Sequence, residues 1–102
     1  MDKKEVITKL IRYKQLLSQN MSFDKMILFG SYARGTQRED SDVDVAIIID
    51  EIEGDYFSTR PLLWRLRREV DDRIEPILFE TKHDESGFLQ EIMRTGVLIQ
   101  DS

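Results

Sequence analysis

Asp42 and Asp44 stand two residues apart at the head of an apolar run, Val43 to Ile49, and Gly30-Ser31 closes an earlier run, Lys25 to Phe29. On a strand, residues i and i+2 point to the same face, about 6.5–7 Å apart along the backbone. The two carboxylates therefore project together, and the Gly-Ser turn lies beside them if the two runs pair. Acidic side chains on one rigid face next to a phosphate-sized turn are suited to holding magnesium and a nucleotide.

The turn has its own phosphate chemistry. Glycine lets the backbone come close to an anion, the amides of Gly30 and Ser31 can point at it, and the Ser31 hydroxyl adds a donor. A helical turn from Ser31 would contribute further free amides. Two better-known phosphate motifs are absent: no Gly-Lys-Ser/Thr follows at Walker spacing, and Gly30 to Gly35 lacks the middle glycine of a dinucleotide fingerprint. Asp40, Asp42, Asp44 and Glu51 match calcium-ligand positions of an EF-hand loop, but Val45 occupies the position that requires glycine. The β-branched run after it favours a strand over that loop.

A two-metal site needs a third acid. Glu75, in Ile74-Glu75-Pro76-Ile77-Leu78-Phe79, can face Asp42 and Asp44 if its strand lies beside Val43–Ile49; otherwise it is an exposed edge residue. Asp71 and Asp72 just before it read as helix-end or turn residues. His83 is a lone histidine in a polar loop, with no partner to make it a ligand or a base.

These residues need elements to place them. Val6, Leu10, Tyr13 and Leu17 recur at helical spacing, predicting an amphipathic helix from Asp2 to Gln19. Lys25–Phe29 is a short buried strand, Ser31–Arg34 one helical turn, Gly35–Ser41 a polar loop, and Val43–Ile49 a strand buried on both faces. After an acidic loop, Asp50–Asp55, Ser58-Thr59-Arg60-Pro61 predicts a helix start with Pro in the first turn and Leu62, Leu63, Leu66 and Val70 inward. Pro76 cannot donate to a ladder, so the third strand belongs at an edge or begins there. Ser86–Thr95 predicts a last helix with Phe88, Leu89, Ile92 and Met93 inward and Gly96 as its cap, before a short strand at Val97–Ile99. The fold class that follows is α/β (α+β): a small mixed sheet with helices packed on it.

A chain of 102 residues is expected to be one domain, residues 1–102. With no cysteine, neither a disulfide framework nor a thiolate zinc site is possible. The longest apolar run is far too short for a bilayer span and the N-terminal pattern is not that of a signal peptide, so a cytoplasmic protein without membrane contact is expected. A net charge of −5 argues against direct nucleic-acid binding. Arg60, Arg65, Arg67, Arg68 and Arg73 fall in one window that is either a solvated face or, with Leu62, Leu63 and Trp64, a docking surface.

The composite Phe29-Gly30-Ser31-Tyr32-Ala33-Arg34-Gly35-Thr36, followed by Ser41-Asp42-Val43-Asp44, resembles the signature of the polymerase-beta-like nucleotidyltransferases, and more narrowly the minimal nucleotidyltransferases (MNT proteins). The resemblance implies that family's fold over nearly the whole chain. It implies that Gly30 and Ser31 bind the triphosphate of ATP and that Asp42 and Asp44 hold Mg²⁺, two ions in all. Glu75 stands where the family often has Asp, as the third acid that completes the metal site and assists the attacking hydroxyl. Arg34 matches the family's Arg after the turn, either as a phosphate contact or as a surface residue. Similar small proteins act as antitoxins of HEPN-domain toxins, some by adenylylating a toxin tyrosine, which makes a HEPN toxin the implied partner. A binding-only antitoxin and transfer to a small molecule are the alternative functions.

Overall fold

The computed structural model describes residues 1–50, 56–84 and 86–100. Helix α1 spans Lys3–Ser18; the Asp2 carboxylate accepts from the Glu5 amide at its start, and Val6, Leu10, Tyr13 and Leu17 are its buried face. Strand β1 (Lys25–Phe29) leads through Gly30 into the short helix α2 (Ser31–Arg34), and β2 is Val43–Ile49. Helix α3 (Tyr56–Arg67) carries the chain back to β3 (Ile74–Glu80). A 3₁₀ turn (Thr81–His83), helix α4 (Phe88–Thr95) and β4 (Val97–Leu98) complete the order. Residues 51–55, most of the expected acidic loop, lie outside the described residues.

The strands form one mixed sheet in the order β3-β2-β1-β4. β1 runs antiparallel to both neighbours, whereas β2 and β3 are parallel, as a connection through α3 requires. One face packs Met26, Leu28, Val43, Val45, Ile47 and Ile74 against α1 and α3. The other packs Ile27, Ala46 and Ile48 against Leu89 and Ile92 of α4. Covered on both sides, β2 is buried from Val45 to Ile49. The Tyr13 hydroxyl donates to the Leu63 carbonyl at 2.8 Å, tying α1 to α3; burial pushes that phenol's pKa well up.

β3 is an edge strand, as Pro76 requires. Its first outward carbonyl, that of Ile74, accepts from Arg67 Nη1 at 3.1 Å, and Pro76 has no N–H to offer, so this edge is blunted against further pairing.

Two expectations need correction. Helix α3 begins at Tyr56 and runs through Pro61, which therefore lies inside the helix rather than in its first turn. The fixed φ of proline is helical, so the cost is one backbone hydrogen bond near the N-terminal end. In α4 only Leu89 and Ile92 are buried; Phe88 and Met93 are 49% and 43% exposed, because an eight-residue helix on one end of a sheet buries a single narrow stripe. Gly96 caps α4 as expected, with extended backbone. Its need for glycine is steric: a β-carbon there would run into Ile27 and sit 2.6 and 2.8 Å from the carbonyls of Ile92 and Leu28.

Candidate active site

Strand parity and register place the acidic residues. Asp44 pairs in register with Phe29 on β1 and with Glu75 on β3, so Phe29, Asp44 and Glu75 form a row across the sheet. Asp44 shares its face with Ala46 and Ile48, the face that α4 covers. Leu89 and Ile92 pack lower on that face and leave Asp44 and Glu75 partly open. Asp42, exposed and just ahead of β2, is near enough to both for its charge to act on them.

Gly30 stands against this row. Its φ of 76° and ψ of −149° suit glycine alone, and a β-carbon built on it would collide with Asp44 Oδ2. The turn and the carboxylate are thus in direct apposition. The buried side chain of Tyr32 anchors the turn into the core, and α2 is held by bonds from the Arg34 amide to the Gly30 carbonyl (3.2 Å) and from the Thr36 amide to that of Ser31 (3.0 Å). The amides of Ser31, Tyr32 and Ala33 open α2 and have no partner within it, which leaves them for an anion.

The electrostatics follow from the crowding. Burial, then the charge of Asp42, raises the Asp44 pKa against the opposing pull of Arg34 and Glu75. Burial, then Asp42 and Asp44, raises that of Glu75 against Arg67. Glu75 lies in register with Asp44 and near enough to Asp42 for the charges to act on one another. Crowding and burial thus favour the protonated forms of Asp44 and Glu75 more than in a free carboxyl. Among the described residues no three acidic or histidine side chains are already spread about a point that could hold a metal ion. The donor set is nonetheless all carboxylate oxygen, the kind magnesium takes.

The structure therefore brings Gly30, Ser31, Asp42, Asp44 and Glu75 together, with Arg34 close enough to Asp44 for its charge to be felt. It sets other candidates apart. Asp71 binds Lys9 at 2.6 Å and accepts from the Arg73 amide; these contacts outweigh burial and hold its pKa down, so it braces a turn. His83 is exposed, 3.6 Å from Glu80. Of the arginine window, Arg60, Arg65 and Arg68 are exposed on the helix side and Arg73 reaches the Glu39 carbonyl.

Arg67 is the residue that sequence reasoning undervalued. Its guanidinium lies over the Trp64 ring (4.5 Å to the centroid) and donates to the carbonyls of Asp72 and Ile74, fixing the entry of β3 immediately before Glu75. Only its place in an arginine-rich stretch singled it out, and the neighbouring arginines share that.

A single sheet face joins a glycine turn, a helix start and a row of carboxylates, an arrangement suited to handling phosphates. The chain belongs to the polymerase beta nucleotidyltransferase family, whose model matches residues 12–102. It is a nucleotidyltransferase, consistent with the minimal members of that group. A protein of Methanocaldococcus jannaschii named "Putative protein adenylyltransferase" is 33% identical over 97 residues, covering 91% of this chain and 97% of its own. A second protein of that name and organism is 33% identical over 75 residues, covering 74% and 73%. Among solved structures, a Sulfolobus solfataricus protein described as a "putative nucleotidyltransferase" matches with TM-score 0.66 at 16% identity, covering 94% of this chain and 80% of that one. A toxin-antitoxin structure with AMP-PNP matches with TM-score 0.67 at 23% identity, covering 94% and 73%. At those identities the two structures share the fold. Among the described residues no helix is long and apolar enough to cross a membrane.

Proposed function

We propose that this protein transfers AMP from ATP to a tyrosine hydroxyl of a HEPN-type toxin in the cytoplasm, with the domain of residues 1–102 acting as the antitoxin. The observation that carries the reading is the row of Asp44 and Glu75 beside the Gly30 turn, with Asp42 above it. Relatives bearing the protein adenylyltransferase name support the donor and the acceptor class, and the toxin-antitoxin neighbour with AMP-PNP supports the partner.

In this reading the amides of Ser31, Tyr32 and Ala33, the Ser31 hydroxyl and the Arg34 guanidinium bind the triphosphate and fix its direction across the row. Asp42, Asp44 and Glu75 would hold Mg²⁺ through their carboxylate oxygens. When bound, the metal supplies charge neutralisation at the phosphates. Glu75 takes the proton of the acceptor hydroxyl. The acceptor oxygen forms its bond to the α-phosphorus as the bond to the bridging oxygen breaks, and that electron pair leaves with pyrophosphate. The protein's contribution is alignment and a fixed field, the main terms in phosphoryl transfer.

The test combines the protein, Mg²⁺, α-labelled ATP and the product of the neighbouring gene, and follows label and intact mass. A gain of one AMP on the partner, absent with Asp42→Asn, supports the reading. Tight binding and toxin neutralisation without transfer from any NTP would refute it in favour of a binding-only antitoxin.

A further inference from the structure

Below the acidic row the same sheet face turns apolar. The next row in register is Ile27, Ala46 and Ile77. Ala46 is fully buried and small, and over it the rings of Phe29 and Phe79 approach to 6.5 Å. Phe88, the first residue of α4, closes the cluster at 6.2 Å from Phe29 and 5.8 Å from Phe79. Yet Phe88 remains 49% exposed and Ile77 40% exposed. Among the described residues the other large apolar side chains so exposed are Met93, on α4, and Leu98, on the edge strand β4 across the sheet from β3.

We infer that Ile77 and Phe88 form a shelf that reads the acceptor, selecting an aromatic hydroxyl over an aliphatic one; the inference rests on the transfer reading above. Position across the sheet decides the occupant. Gly30, with the phosphate-binding amides after it, lies at the β1 side of Asp44, and Glu75 lies at the β3 side. A donor bound at the turn presents its far side to β3, where Ile77 follows Glu75 by two residues on the same face, about 6.5–7 Å along the strand. That step is comparable with the length of a tyrosine side chain from its oxygen to its β-carbon. A phenol with its oxygen at Glu75 lays its ring over Ile77 with its edge toward Phe88, an arrangement aromatic rings favour. A serine or threonine hydroxyl at the same point is too short to cover either residue, so selectivity comes from apolar area that only the ring removes from water.

The experiment is methyl NMR on the whole protein with Mg²⁺ and a non-hydrolysable ATP analogue, the Ile77 methyl being assigned with Ile77→Val. N-acetyl-tyrosinamide is expected to shift that methyl saturably, at least five-fold more tightly than N-acetyl-serinamide. Phe88→Ser and Ile77→Thr are each expected to weaken that binding at least five-fold while changing affinity for the ATP analogue less than two-fold. Equal responses to the two amides, no shift, or a shift produced by adenosine alone would overturn the inference, the last by giving the shelf to the base. Tyrosinamide binding without AMP transfer to the partner would support the shelf while refuting the transfer reading. Transfer without any Ile77 response would do the reverse.

Discussion

Replacing Gly30 with alanine tests the apposition of turn and carboxylate. The backbone there, φ 76° and ψ −149°, lies in a region essentially closed to residues with a β-carbon, and holding alanine in it costs about 1–3 kcal/mol. The new methyl also meets Asp44, colliding with Oδ2 and lying 3.2 and 3.3 Å from Cγ and Cβ. Because the obstructing atoms belong to a side chain, the collision is relieved by turning the Asp44 carboxylate away, out of its row with Glu75. A net loss of about 2 kcal/mol lowers Tm by about 8–16 °C in a domain of this size. A displacement of about 1 Å at a reacting centre costs transfer about 10²-fold. Urea and thermal unfolding, titration with an ATP analogue and the AMP-transfer assay read the three effects. Asp44→Ala separates them, since it removes the two nearest atoms: Gly30→Ala should cost less stability in that background, with a coupling of about 0.5–3 kcal/mol. Gly30→Ala within about 0.5 kcal/mol of wild type, or equal costs with and without the Asp44 carboxylate, would refute the reasoning.

Asp44→Asn should stabilise the metal-free protein near neutral pH while abolishing its affinity for Mg²⁺ with an ATP analogue. Burial and carboxylate repulsion raise the pKa values of Asp44 and Glu75, so both bind protons more tightly folded than unfolded. Their contribution is full below the ordinary carboxylate range and is lost as pH rises through the raised values; urea midpoints from pH 4 to 8 should fall less steeply in the variant. Glu75→Gln should lower the transfer rate far more than it weakens binding of the analogue, because its part is played at the acceptor; an unchanged single-turnover rate would remove it from the mechanism. Gly96→Ala should destabilise by about 1–3 kcal/mol through its clash with Ile27 and two carbonyls, and leave nucleotide affinity as it is, since none of those atoms lies in the row.

Local chemistry was enough to announce half of this site. A glycine ending an apolar run, a serine after it, and two aspartates at strand spacing put a turn and a doubly negative face in the chain before any contact is known, because period-two alternation is a property of the backbone. The helix of Lys3–Ser18 and the doubly buried β2 were legible for the same reason: apolar spacing writes them directly. The start of α3 was not, since the fixed φ of Pro61 suits a helix that begins at Tyr56 as well as one that begins at Ser58. Nor was the outward Phe88, because four apolar residues on a short helix do not say which two the sheet covers.

The other half was decided only when the chain folded. Glu75 is 31 residues from Asp44 in sequence, and nothing local says that β3 lies parallel to β2 with those two residues in register. A shift of one residue would have turned Glu75 into the core and brought Ile74 or Pro76 to the acids. Arg67 gained its role in the same way, by lying where its guanidinium meets the carbonyl of Asp72, ahead of β3, and that of Ile74, the first in it. Glycine at position 30 could be read as a turn from the sequence; that its missing side chain makes room for the Asp44 carboxylate belongs to the sheet. Spacing along one strand is written in the sequence, whereas distance between strands is set by which apolar faces find cover, and the third acid depends on the second.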